Sequence, residues 1–71
     1  MNNWIERVRE EKRELDDKIN KLTQFMHTAP GNDNISVHML YLLSEQLSTM
    51  KKYSYLLEER IKEGEKNEQN K

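Results

Sequence analysis

Apolar residues recur with helical period in two long runs, separated by one short turn. In the second run Leu40, Leu43, Leu47, Met50, Ser54, Leu57 and Ile61 alternate spacings of three and four. That spacing keeps them on one side of a helix and makes a coiled-coil-like seam, with a serine at one position. Beside it runs a wide, half-polar row: Met39, Leu42, Gln46, Tyr53, Leu56 and Arg60. The second helix therefore offers more contact surface than one partner helix covers. In the first run Ile5, Val8, Leu15, Ile19, Leu22 and Met26, with Phe25 alongside, form the apolar face. This face is interrupted, because every residue from Arg9 to Glu14 is charged and a knob is missing at Glu11 or Lys12. Charges at that place must reach solvent, pair with the facing helix, or line a polar cavity.

The breakers set the boundaries. Residues 3–28 hold strong helix formers and neither glycine nor proline, with Asn2 or Asn3 available as a cap and Glu6 in the first turn. Between His27 and Asn34 lies the turn signal. Pro30 disfavours helix at Ala29, Gly31 is free to take positive φ, and Asp33, Asn34 or Ser36 could cap the second helix. Ile35 and Val37 are expected to pack the loop against Phe25 and Met26. The second helix is predicted over residues 35–63 with Gly64 just past its end, and residues 65–71, which include no apolar side chain, as a disordered polar tail. Two helices of roughly 40 Å joined by a short connection make an all-α antiparallel hairpin, one domain over residues 1–64. Centring the hairpin on the turn sets Phe25 by Met39, Lys18 by Gln46, Glu14 by Met50, Glu11 by Tyr53 and Trp4 by Arg60.

Size decides what the hairpin must do next. A chain of 71 residues rarely buries enough apolar surface alone, and without cysteine it has neither disulfide nor thiolate zinc site. Oligomerisation is the remaining staple. Two hairpins face to face form a helical-bundle homo-oligomer, with a two-fold dimer as the default and a trimer or larger assembly as the alternative. The start of the chain turns charged at once, offering no signal peptide or membrane span, so the expected setting is soluble and cytoplasmic. Although 35% of residues are charged, the formal net charge is −1, which argues against a DNA or RNA binder.

Candidate chemistry is sparse. There is no nucleophile-base-acid set, phosphate-cradling glycine loop or HExxH pattern, so catalysis is not expected and no cofactor is implied. His27 and His38 flank the turn without a third ligand, and Asn32, Asp33 and Asn34 lack the spacing of a calcium loop. Lys51 and Lys52 read as a solvated pair. The more specific set gathers towards the open end of the hairpin: Arg7, Glu11 and Glu14 with Gln46, Tyr53 and Arg60. One reading is structural, a polar layer that fixes register, in which Tyr53 donates to Glu11, Arg60 stacks on Trp4 and Arg7 pairs with Glu11. The other is a ligand pocket at a subunit seam: the arginines hold phosphates, Tyr53 or Trp4 stacks on a base, and Gln46 reads its edge.

Arg7-Val8, Glu11, Glu14-Leu15, Lys18-Ile19, Lys21-Leu22 and Phe25, followed by Leu42-Leu43, Gln46, Met50, Tyr53, Leu57 and Arg60-Ile61, resemble a family of small phage-encoded helical-hairpin proteins described as crAss-like phage related. The likeness runs from Arg7 to Ile61, and residues 29–34 depart from it by being richer in turn formers. The resemblance implies a phage protein acting in the bacterial cytoplasm in a dispensable, anti-defence role. Small phage hairpins of this kind include oligomeric sponges for nucleotide second messengers of immunity, cyclic oligonucleotides or ADP-ribose derivatives, that blunt CBASS or Thoeris signalling. Ligand contacts would come from Trp4, Arg7, Glu11, Gln46, Tyr53 and Arg60. The alternative function is a non-catalytic interaction module that inhibits or adapts a host protein through the Met39, Leu42 and Tyr53 row. A structural bundle in the phage particle ranks below both.

Overall fold

The computed structural model describes residues 4–69. Helix α1 spans Trp4–Thr28, a 3₁₀ turn occupies Ala29–Gly31, and helix α2 spans Val37–Gln69. The two helices pack along each other as a hairpin 57 × 15 × 13 Å in extent. The expected caps Asn2 and Asn3, and the last two residues of the expected tail, lie outside the described residues.

Helix α1 follows from its composition, and it is laced along its length by pairs one turn apart. Glu6–Arg9 and Glu10–Arg13 close at 2.6 Å each, Lys12–Asp16 at 2.7 Å and Asp17–Lys21 at 3.0 Å. Each such pair adds about 0.2–0.5 kcal/mol to a helix. The chain then tightens into the 3₁₀ turn before reversing. The Asn32 N–H donates to the Ala29 carbonyl at 2.9 Å, and the Asn32 side-chain oxygen accepts from the Asn34 N–H at 2.8 Å. Of the three candidate caps the structure selects Ser36, whose Oγ accepts from the Met39 N–H at 3.0 Å.

Three expectations about the ends of the elements are corrected. Gly31 does not adopt positive φ, because the 3₁₀ curl carries the reversal to Asn32, whose φ of −103° and ψ of 115° are extended. Val37 does not pack the loop: it is 84% exposed, and Phe25 is exposed too, while Ile35 and Met26 are half-buried. Most consequentially, α2 does not stop at Glu63. It runs through Gly64 to Gln69, so the polar segment beyond residue 64 continues the helix. Gly64 serves close packing instead of termination. A methyl group placed there would sit 2.6 Å from Trp4 Cη2 and 2.9 Å from Ile5 Cδ1, so the missing side chain is what lets α1 begin against α2. The residue after it is tied down as well, since Glu65 pairs with Arg9 across the hairpin.

The core is concentrated at this open end. Ile5, Val8, Leu57 and Ile61 form one buried cluster, with Trp4 and Leu15 packed against it. Ile19 and Ala29 are buried further along. Leu40, Leu43, Leu47 and Met50, the first half of the α2 seam, are only half-buried. A single facing helix thus covers the seam fully only from Ser54 to Ile61.

Candidate functional site

The charged interruption of α1 and the serine in the α2 seam solve one another. Ser54 is buried and donates to Asp16 Oδ1 at 2.5 Å, and Asp16 Oδ2 accepts from the Lys12 ammonium at 2.7 Å. Lys12 also lies 3.8 Å from Glu58 Oε1. Lys12, Asp16, Ser54 and Glu58 therefore form a polar layer between the apolar cluster and the half-buried stretch towards the turn. No buried side-chain nitrogen or oxygen among the described residues lacks a partner, which is the condition for such a layer to be tolerated.

Several pairs across the hairpin are skewed in one direction. Side chains lean towards the N-terminus of their own helix. In an antiparallel pair, those of α1 reach for the open end while those of α2 lean back to meet them. Hence Arg9 reaches Glu65, Lys12 reaches Glu58, and Trp4 lands on Gly64 beyond the expected Arg60. Glu11 and Tyr53 stay together as expected, the tyrosine hydroxyl donating to Glu11 Oε2.

These contacts set the electrostatics. The hydrogen bond from Lys12, then that from Ser54, holds the Asp16 carboxyl below the usual carboxylate range, against a smaller opposing effect of desolvation. The same bond to Asp16 raises Lys12 above the ordinary lysine value. Arg9 is raised chiefly by its hydrogen bond to Glu65. Among the described residues no group of three or more His, Cys, Asp or Glu side chains is placed to hold a metal ion. His38 stacks on Tyr41, ring centroids 6.3 Å apart.

The six expected ligand contacts do not converge within one chain. Trp4 is half-buried at the edge of the core, with Cη2 and Cζ2 of its ring against Gly64. Glu11 and Tyr53 are bonded to each other on the flank of the hairpin. Arg7 and Arg60 are exposed and make no ion pair among the described residues. Gln46 is exposed, its amide nitrogen 3.9 Å from Met50 Sδ. At 1.5 Å per residue, Gln46 and Arg60 stand roughly 21 Å apart along α2, about twice the width of an ordinary ligand pocket. Two open grooves lie on the surface of the described residues. One of about 450 Å³ is lined by Arg9, Lys12, Arg13, Asp16, Asp17 and Asn20. The other, of about 410 Å³ and more apolar, is lined by Ser48, Thr49, Lys52, Tyr53 and Leu56.

Sequence reasoning found Glu11 and Tyr53 but passed over Asp16 and Glu58. The available signal was the seam serine, since a hydroxyl buried at a leucine position needs an acceptor on the facing helix, but level pairing sets Ser54 by Glu10 and away from Asp16.

No curated protein and no solved structure matches the chain. The profile of one family, Sequestin, matches residues 2–63, which takes in α1, the turn and α2 as far as Glu63. With most of its length matched, the chain belongs to the Sequestin family.

Proposed function

We propose that this protein is a phage anti-defence sponge: a non-catalytic hairpin that binds a nucleotide second messenger of bacterial immunity at the interface between subunits. The ligand class is a cyclic oligonucleotide or an ADP-ribose derivative, and the setting is the cytoplasm of an infected bacterium. The observation that carries the reading is the match to Sequestin, a family name that denotes sequestration. Geometry lends two supports. Arg7 and Arg60 are exposed cations with no ion pair among the described residues, so they are free to meet phosphates, for which guanidinium groups are suited. A hairpin only 15 × 13 Å in cross-section has no interior for a nucleotide, so an enclosed pocket needs a second subunit.

The test is calorimetry, with native mass spectrometry, on the purified protein against cyclic dinucleotides, cyclic trinucleotides and cyclic ADP-ribose isomers. At least one should bind, and Arg60→Ala should weaken it by about tenfold or more, the cost of one charge-assisted phosphate contact. Absence of binding across the whole panel overturns the proposal. A second reading has an observation of its own: Met39, Leu42, Tyr53 and Leu56 are large apolar side chains left exposed on one flank, the surface an interaction module for a host protein would use. It predicts a stoichiometric host protein recovered with the tagged chain, and no bound nucleotide.

A further inference from the structure

The exposed flank of α2 holds more order than a scattered apolar patch. Met39, Leu42, Gln46, Thr49, Tyr53 and Leu56 alternate spacings of three and four, and all six are exposed. The four apolar members are 43–47% exposed. This stripe is a second heptad seam, displaced from the α1-facing seam by about the 100° that separates consecutive residues of a helix. That is the angle at which a helix in a four-helix bundle meets its second neighbour. The surface is already held in place on one side, because Tyr53 is bonded to Glu11 of α1.

We infer that the occupant of this seam is α2 of a second copy of the chain, antiparallel and two-fold related, with the axis passing between Leu47 and Ser48. In that register Met39 packs on Leu56 of the second copy, Leu42 on its Tyr53, and Gln46 on its Thr49. Apolar meets apolar, and the two polar residues meet at the centre, where an amide and a hydroxyl satisfy each other. The charges that border the seam choose this register. Glu45 falls beside Lys52 of the second copy and His38 beside its Glu59, each contact occurring twice by symmetry. Sliding one copy by a heptad sets Lys52 against Lys52 and Glu45 against Glu59, and puts Leu42 on Arg60. A parallel pair sets Arg60 against Arg60. Both misplace like charges or bury a guanidinium on leucine, so complementarity favours the antiparallel pair alone. The inference deepens the subunit-interface reading given above, and its test uses no nucleotide, so either can fail without the other.

The absence of cysteine from the chain makes the register directly readable. Single variants Gln46→Cys and Thr49→Cys are prepared separately and then mixed in equal amounts under mild oxidation, with Arg13→Cys on the outer side of α1 as the background control. The mixed 46–49 disulfide should exceed both homodisulfides and the control by about tenfold, the preference expected when one register is favoured by about 1.4 kcal/mol. Dominant 46–46 and 49–49 disulfides would mean a parallel pair and overturn the inference. Cross-linking no greater than that of Arg13→Cys would overturn it too. Sedimentation supplies the second arm. Lys52→Glu, which sets a second carboxylate against Glu45 at both symmetric contacts, should raise the dimer dissociation constant by about tenfold, and Glu45→Lys with Lys52→Glu should restore it. A monomer at every concentration, or a double variant no better than the single one, sinks the proposal. Gln46, Thr49 and Lys52 are all exposed, and circular dichroism of each variant is the check that it still folds.

Discussion

Gly31 and Gly64 are the two glycines of the chain, and a methyl group added to each meets opposite surroundings. At Gly31 nothing lies within 4 Å and φ is not positive. Alanine there restricts the unfolded chain without straining the folded one, so Gly31→Ala should stabilise by about 0.5 kcal/mol. At Gly64 the new atom would lie 2.6 Å from the Trp4 ring and 2.9 Å from Ile5. Alanine gains about 1 kcal/mol of helix propensity there, but overpacking a settled contact costs about 1–3 kcal/mol. A net loss near 1 kcal/mol is expected, together with a shift in Trp4 fluorescence, because the ring must move. Urea denaturation of the two variants side by side tests both signs. A stabilised Gly64→Ala protein would mean that the Trp4 contact does not hold the start of α1.

Each helix carries one flaw in its apolar face, and the two flaws are mates. The break in α1 was legible as a break, and Ser54 was legible as the odd member of its seam. That they answer one another was hidden, because the lean of side chains along an antiparallel pair joins Asp16 to Ser54 and Lys12 to Glu58, offset from the level pairing set by the turn. Gly64 misled for a related reason: a glycine near the end of a polar stretch reads as a stop, and only the approach of Trp4 shows that it is a packing site. The hairpin itself was legible because period and breaker agreed. The site was not, since six polar residues can share stripes without sharing a pocket. The polar layer has a pH signature. Lys12 and Ser54 hold the Asp16 value below its unfolded one, so its stabilisation is complete above roughly pH 4 and is lost as pH falls through the folded value. Lys12 is raised, so its share is complete below the ordinary lysine value and lost as pH rises through the folded one. With the Asp16 side chain 40% exposed, Asp16→Asn should cost under about 1 kcal/mol at neutral pH. It should also flatten the decline in stability between about pH 5 and pH 2. Urea midpoints for both proteins at neutral and acidic pH check this, and parallel acid limbs would show that the layer does not hold the carboxylate.

At the scale of the molecule, the hairpin is 57 Å long and 15 × 13 Å across, and its buried apolar cluster is four residues at one end. Towards the turn the seam between α1 and α2 is only half-covered, and the second seam of α2 is open along its length. A chain of 71 residues has little stability in reserve before any such deficit. Burial of the open seam by a second copy would place the missing apolar contact where the hairpin lacks it, around Leu42 and Tyr53, leaving the well-packed open ends outside the dimer. Folding and association are then linked, and the melting temperature must depend on concentration. Each tenfold increase in protein adds about 1.4 kcal/mol per mole of dimer. For a chain of this size that is a rise of several degrees. Thermal melts over a hundredfold concentration range make the measurement. The Lys52→Glu variant should melt lower at every concentration and recover when Glu45→Lys is added. A melting temperature that does not move with concentration would mean that the single hairpin is the folding unit, its four-residue cluster and polar layer sufficient by themselves.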